Sequence, residues 1–538
     1  MKIIVKFNRH FNYHIHHIHH HISTITFTTM STMNYYIDTL LTELRTLIAD
    51  LGKGGGSVSP SVYDTAQVLR LYPPEDRAPA FAWLLAQQQA DGGWGSPETP
   101  YARDVPTLAA ILALKTAHQD PHTKAVIDAG LTFLQQQAPK WAELPIDALP
   151  IATEMVLPYL IEEANAAGLM LSPTPYERLY QLRKYKSRQI AKIPLRAGTP
   201  PTHSWEALGK DVHSLLPDHS GGIGHSPAAT AAWLRQAEEH RELAAPCKTA
   251  RQYLAKAVTA TGLDIPGVVP SVWPITGFEL VYAPYALLVT NLLQQPALQA
   301  VVGPLMDELW VVMKRGHGVS FGEYFTPDGD DTGLGLAVLQ ATARPVDPTV
   351  LLQFKNGDHF CTFHHEINPS VFANAHALYG LAYAGERCST AEHFLLKQQG
   401  ADGRWLADKL HTSWLYTTLE VVLTLSHLGY QREVRKAAEA LSRHQKADGG
   451  WGSGQNATWV ETSYAVITLS TLDQRGLLNE AARHALQRGY QWLSHTYRPH
   501  TLPTEKFWVG KELYTPYRVD RIYGLSALLA VTLERMPV

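Results

Sequence analysis

Three copies of one turn, Q-x-x-D-G-x-W, constrain the fold of this chain more than any other feature: Gln88–Trp94 (QQADGGW), Gln399–Trp405 (QGADGRW) and Gln445–Trp451 (QKADGGW). Each follows an amphipathic stretch such as AFAWLLAQQQ or AAEALSRHQ and precedes a loop and another apolar segment. Glycine permits the turn after a helix, Asp can bond the turn backbone, and Trp supplies a large flat surface for stacking. A single D-G-G-W is an ordinary turn with an anchoring aromatic. Three with the same Gln and Trp offsets mark an internal repeat. A degraded copy lies at His219–Gly224, HSGGIG.

Between the turns run Ala- and Leu-rich stretches that are apolar on nearly every face, among them VPTLAAILALKTA from Val105, DTGLGLAVLQATA from Asp331, SVFANAHALYGLAYA from Ser370 and SWLYTTLEVVLTLSHL from Ser413. They alternate with one-sided helices such as QREVRKAAEALSRHQ. Helices apolar all round must be buried, and their one-sided partners belong outside. With β-type alternation nearly absent, the expectation is an all-α fold of two α/α barrels, each built of an inner and an outer helix layer. The alternative, an open solenoid, needs polar capping repeats that the sequence lacks. The pattern breaks between about Leu144 and Leu216, where Pro, Lys and Arg cluster, and resumes after Trp273. One barrel is therefore expected over 60–275 and a second over 276–538. The helix near Tyr35–Leu51 and the GKGGGS linker (34–59) are assigned to the second barrel, and 1–33 to a disordered His-rich extension.

Charge narrows the function classes. With 46 Lys plus Arg against 49 Asp plus Glu, the net charge of −3 removes the footprint of a nucleic-acid or polybasic membrane-surface protein. At 45% hydrophobic and 18% charged residues the chain reads as globular with much buried surface. Cys247, Cys361 and Cys388 lack metal-type spacing, which suits a reduced, cytoplasmic setting. Seven histidines between His10 and His21 read either as a metal-binding tract or as an upstream start. The second reading is favoured, because Met30 and Met33 directly precede ordinary amphipathic sequence. That stretch has no signal-peptide pattern, and no window reaches the roughly 18 uninterrupted apolar residues of a spanning helix.

The chemistry concentrates at Pro327-Asp328-Gly329-Asp330-Asp331-Thr332, at the head of an apolar helix. P-D-G is a turn, and Asp before an apolar run is a helix N-cap. Three carboxylates within four residues exceed what a cap needs, and crowding raises at least one pKa, leaving a protonated acid near neutral pH. At the mouth of an apolar barrel such an acid could protonate a group of almost no basicity, such as an alkene.

A D-x-D-D motif at an inner-helix start, together with repeated Q-x-x-D-G-x-W turns, resembles the class II terpene cyclases, and the resemblance runs from about Ser57 to the C-terminus. It implies two helical barrels, β and γ, with the active site between them. It also implies Asp330 as the general acid, tuned by Asp328 and Asp331, starting ring closure through carbocations held by aromatic faces. The D-D-x-x-D motif of ionising synthases is absent, so the diphosphate is expected to survive. PIATEMVLPYLIEEA resembles the segment where an acidic residue helps hold magnesium and diphosphate, which carries over to Glu154. RKYKSRQIAKIP resembles the family's diphosphate-contacting lysine region. There the expected Lys falls nearest Gln189, so Arg188 or Lys192 would substitute, and Lys511 in WVGKELY is a further basic candidate. His203 of THSWE matches the terminating base of ent-copalyl producers, but the paired P-N-V-x-P segment reads Pro270-Ser271-Val272-Trp273-Pro274, with Ser in place of Asn. The implied activity is magnesium-assisted cyclisation of geranylgeranyl diphosphate to a bicyclic diphosphate of copalyl or rearranged halimadienyl or kolavenyl type. A class I synthase or phosphatase would act downstream. A squalene–hopene-type cyclase, a drimenyl-type cyclase of farnesyl diphosphate and a non-catalytic helical-barrel module are the alternatives.

Overall fold

A computed structural model describes residues 33–535, apart from 98, 100–101, 118–119, 145–148, 209–211, 365, 367 and 407. The expected His-rich extension, 1–33, lies outside the described residues except for its last position. The fold is all-α. Strand among the described residues is confined to two hairpins, Lys355–Asn356 with His359–Phe360 and Trp508–Val509 with Leu513–Tyr514.

The inner-layer helices form two closed rings. The first comprises α1 (Val62–Leu71), α2 (Asp104–Leu114), α3 (Thr153–Ala166), α4 (Trp205–Leu208) and α5 (Pro227–Ala237). Each packs on the next, and α5 closes the ring onto α1. The second comprises α6 (Thr276–Val289), α7 (Gly329–Ala341), α8 (Val371–Tyr383), α9 (Trp414–Leu428), α10 (Trp459–Gln474) and α11 (Tyr517–Glu534), with α11 packed back on α6. Burial follows the sequence pattern. Every residue of α2 is buried, whereas the outer helix Gln431–His444 buries only Val434, Ala437, Ala438, Ala440 and Leu441. The helix at 33–49 sets Leu40, Leu44 and Ile48 into the core of the second barrel. There Glu43 accepts from Arg521 Nε and from the Tyr497 hydroxyl, both at 2.7 Å. The second barrel is thus assembled from both ends of the described chain, with the first between them in sequence.

The repeated turns are staples between layers. Trp94, Trp405 and Trp451 are fully buried, and each indole N–H donates to the carbonyl ten residues earlier, Leu84, Leu395 or Leu441, at 2.8–2.9 Å. The Gln amides each donate twice. One bond closes the turn, to Gly92, Gly403 or Gly449, and the other reaches the following outer helix at Val126, Glu433 or Ala485, all within 2.7–3.0 Å. Those three glycines sit at φ of 87°, 95° and 98°, a backbone region that side chains bearing Cβ rarely occupy. A Thr of the next inner helix (Thr107, Thr418 or Thr462) accepts the Trp backbone N–H. The degraded copy keeps this geometry. Ile223 N donates to Thr230 at 2.9 Å, with Ile where the others carry Trp. No helix among the described residues is long and apolar enough to cross a membrane.

Candidate active site

The acidic segment opens α7. Asp328 is its N-cap and accepts from Asp331 N at 2.8 Å, so one of the three carboxylates does the capping work. Gly329 is required sterically, because a Cβ there would lie 2.3 Å from the Cys361 carbonyl oxygen. Asp330 and Asp331 occupy the first turn and are 5% and 2% exposed. Burial pushes the carboxyls of Asp328 and Asp331 well above the usual range. The charge of Asp330 adds to this at Asp328, and the charges of Asp328 and Asp330 add to it at Asp331. The helix N-terminus favours negative charge, so it stabilises the carboxylate left when a proton departs.

Asp330 is held by side chains from two other inner helices. Tyr282 of α6 donates to Oδ2 at 2.8 Å, and His376 of α8 places Nδ1 2.5 Å from Oδ1. Each carboxyl oxygen has two lone pairs, so both contacts leave room for an acid proton. On its far side His376 Nε2 makes an ion-pair contact of 3.1 Å with Glu420 of α9, whose Oε2 also accepts from Tyr285 at 2.5 Å. Burial opposes protonation of His376, but the flanking Asp330 and Glu420 outweigh it and push its pKa up to about 9. Because this lies above the ordinary 6.5, the stabilisation from these pairs is complete below pH 6.5 and is lost as pH rises through about 9. Urea unfolding of the wild-type protein should show that decline between pH 6.5 and 9.5, and His376→Gln should flatten it.

Around this acid–base line the barrel is aromatic. Tyr282 stacks on Phe278 with centroids 4.0 Å apart, and Trp508 stands edge-on to both at 5.1 and 4.9 Å. Tyr416, Tyr464 and Tyr523 continue the cluster inward. Their ring faces present negative potential without being nucleophiles, a surface suited to a carbocation.

The other residues read from the sequence lie in the first barrel, except Lys511, which reaches it from the Trp508–Tyr514 hairpin. The His203 ring faces the Gly224 carbonyl at 2.8 Å through Nδ1. A carbonyl can only accept, so Nδ1 carries the hydrogen and Nε2 keeps its lone pair. Burial, then the nearby Lys511 charge, lowers the His203 pKa to about 3, which leaves it neutral. Ser271 is fully buried and its hydroxyl has no partner. Lys511 is fully buried rather than a solvated charge. Its ammonium donates to Glu206 Oε1 (2.7 Å), Ser226 Oγ (2.5 Å) and the His203 carbonyl (3.0 Å), which engages all three protons.

Glu154 lies in the first turn of α3, 5% exposed, in an ion pair with Lys186 of the helix Glu177–Ile190. Arg188 and Lys192 are exposed, and Lys192 bonds Gln189 at 3.0 Å. In the basic segment it is therefore Lys186, one helical turn before Gln189, that meets Glu154. No group of three or more His, Cys, Asp or Glu is gathered as a metal centre among the described residues. Glu154 offers one hard carboxylate. Magnesium takes one or two of these together with phosphate oxygens and water, so the donor set fits an ion carried on a diphosphate.

Residues 368–523 match the squalene-hopene cyclase C-terminal domain family. Over 520 residues the chain is 43% identical to (+)-kolavenyl diphosphate synthase of Herpetosiphon aurantiacus, covering 94% of this chain and 100% of that one. It is 31% identical over 510 residues to copalyl diphosphate synthase of Streptomyces cyslabdanicus, covering 88% and 92%. Among solved structures, ent-copalyl diphosphate synthase from Streptomyces platensis superposes with a TM-score of 0.76 at 28% identity, covering 91% of this chain and 99% of that one.

Proposed function

The chain belongs to the class II diterpene cyclases, and we propose that it cyclises geranylgeranyl diphosphate to a rearranged, kolavenyl-type bicyclic diphosphate with the diphosphate retained. The observation that carries this reading is Asp330, buried at the head of α7 between the Tyr282 hydroxyl and the His376 ring and facing an aromatic wall. In the reaction, Asp330 gives its proton to the terminal alkene. The imidazolium of His376 and the Tyr282 hydroxyl stabilise the carboxylate that remains. Tyr282, Trp508 and Phe278 then face the cation as the rings close, and the apolar wall keeps water away from it.

Two features support a rearranged skeleton. One is the 43% identity to a kolavenyl diphosphate synthase. The other is Ser271 in place of the Asn expected opposite His203, which weakens early proton removal and gives hydride and methyl shifts time to run. His203, neutral and with Nε2 free to accept, is the terminating base in this reading. Glu154, a hard carboxylate, would hold magnesium, and Lys186, now paired with Glu154, would meet the diphosphate end of the substrate. When bound, the ion would supply charge neutralisation at the diphosphate. A consuming enzyme must ionise or hydrolyse the surviving diphosphate.

The test is direct. Full-length protein with magnesium and geranylgeranyl diphosphate, followed by dephosphorylation and mass spectrometry, should give a bicyclic diterpene alcohol with a kolavenol-type fragmentation pattern. Conversion of squalene or farnesyl diphosphate in place of geranylgeranyl diphosphate overturns the substrate assignment. An unrearranged copalol overturns the product assignment alone.

A further inference from the structure

The net charge of −3 is an average over an uneven chain. From Arg178 to Arg196 there are seven basic residues and no acidic one, so a net of −3 with +7 inside this segment leaves −10 for the rest. The whole-chain balance, which argues against a polybasic membrane-surface protein, therefore does not describe this strip. Most of it is the helix Glu177–Ile190, and the two faces of that helix differ. Leu179, Leu182, Arg183, Lys186 and Ile190 recur at i, i+3, i+4, i+7 and i+11 and turn inward. Leu179 is buried, Lys186 meets Glu154, and Arg183 bonds Glu162 at 2.8 Å.

The outer face carries Gln181, Lys184, Tyr185 and Arg188, at i, i+3, i+4 and i+7, all of them exposed, and Lys192 follows just past the helix end. Cations on the inner face are paired and those outside are not. Among the described residues Lys184, Arg188 and Arg196 have no carboxylate within ion-pair distance, and Lys192 reaches only the side-chain oxygen of Gln189. Tyr185 is 53% exposed and Leu215 69%, and Ile193 is exposed as well. The Leu215 carbonyl accepts from Ala197 N at 2.8 Å, which ties it to the end of the strip. An exposed phenol ring among unpaired cations, with aliphatic side chains beside it, is the composition of a helix face that lies on lipid headgroups. Lys186 and Glu154 stand on the other side of the same helix, about 10 Å away, one helix diameter.

We propose that the outer face of Glu177–Ile190, with Lys192 and Arg196, docks the protein on an anionic lipid surface from which it takes its substrate. The docking goes beyond the cyclase reading, and only the delivery of substrate rests on it. Charge complementarity selects the occupant. Each Lys or Arg held near an anionic bilayer strengthens binding roughly fivefold, and this face offers several with no internal partner to give up. A bilayer fits better than an acidic protein because the face is the convex back of a helix and offers no groove, whereas headgroups conform to it. Geranylgeranyl diphosphate is itself an anionic amphiphile whose hydrocarbon chain partitions into a bilayer. Docked in this way, the diphosphate end of the site lies just behind the headgroup plane.

Sedimentation of the full-length protein with vesicles tests the docking without substrate, at about pH 8 so that the His-rich segment is uncharged. Phosphatidylcholine vesicles containing about one quarter phosphatidylglycerol should bind it at least about 25-fold more tightly than phosphatidylcholine alone, and about 0.5 M salt should abolish the difference. Lys184→Glu with Arg196→Glu should weaken that binding by about 25-fold or more. In vesicle-free buffer the same double variant should keep kcat/KM for geranylgeranyl diphosphate within about twofold, since both residues are exposed. With substrate supplied in the anionic vesicles it should turn over about tenfold more slowly than the wild type. Equal binding to the two kinds of vesicle, or binding by the variant as tight as by the wild type, overturns the proposal. Polyglutamate binding without vesicle binding overturns it in favour of an acidic polypeptide. A loss of tenfold or more in vesicle-free kcat/KM overturns it in favour of steering of dissolved substrate by these cations. Salt-sensitive docking by a protein that fails to cyclise geranylgeranyl diphosphate supports the docking and removes the cyclase reading alone.

Discussion

Asp330→Asn should lower kcat by about 10⁴-fold or more while leaving the protein folded. Asn is nearly isosteric, and its carbonyl can accept from Tyr282 while its amide donates to a neutral His376, so both contacts of Asp330 have a substitute. The substitution also removes one of three crowded carboxylates, relieving repulsion that now raises Asp328 and Asp331. Urea unfolding should therefore give a midpoint equal to or above that of the wild type. The variant lacks any group able to give a proton to an alkene, whose basicity is too low for water to serve. Asp328→Asn makes the contrast. Asn is as good an N-cap as Asp, so the bond to Asp331 N survives, and the loss of rate should be well short of that at Asp330. If Asp330→Asn retains more than about one hundredth of wild-type kcat, the proton comes from another group.

The contrast between these neighbours shows what a sequence can and cannot carry. The fold class was legible because inner and outer layers bury different fractions of their helices, and that difference is written in composition: every residue of α2 is buried, but barely a third of Gln431–His444. The number of helices in each ring was not legible, since α4 is a single turn and gives no periodic signal. The three carboxylates stood out because they are adjacent in the chain. Their partners did not, since Tyr282, His376 and Glu420 come from three helices and meet only when the ring closes. A signal was present nonetheless. His376 and Glu420 are lone ionisable residues inside otherwise apolar runs (NAHALYG and TLEVVL), and a buried charge requires a partner. Lys186 was passed over for a simpler reason. It lies one helical turn from Gln189, so a reading in linear register moved to Arg188 and Lys192, which point to solvent, whereas the helical face returns at Lys186.

Lys511→Met should destabilise the protein by about 3–5 kcal/mol, because it strands two carboxylates inside the seam between the barrels. Lys511 comes from the Trp508–Tyr514 hairpin of the second barrel, and its acceptors Glu206, Ser226 and the His203 carbonyl belong to the first. Asp64 of α1 lies 3.5 Å away, and its pKa is already raised to about 6, by burial first, with Lys511 opposing and Glu206 adding to the rise. Glu206 Oε2 is buried without a partner even in the intact protein. Without the ammonium, one of the two acids must take up a proton on folding. Folded-state values raised above the unfolded ones mean that stability falls as pH increases through the shifted range, so the deficit of Lys511→Met should be larger at pH 8 than at pH 5. Adding Glu206→Gln to the variant should recover about 1–3 kcal/mol, measured as the coupling energy of a double-mutant cycle in urea. An unfolding free energy within 0.5 kcal/mol of wild type, which is the usual range for surface substitutions, would refute a seam held by this cluster. If stability is unchanged while KM for the diphosphate rises about tenfold or more, Lys511 acts on substrate instead, since its removal would then cost binding rather than folding.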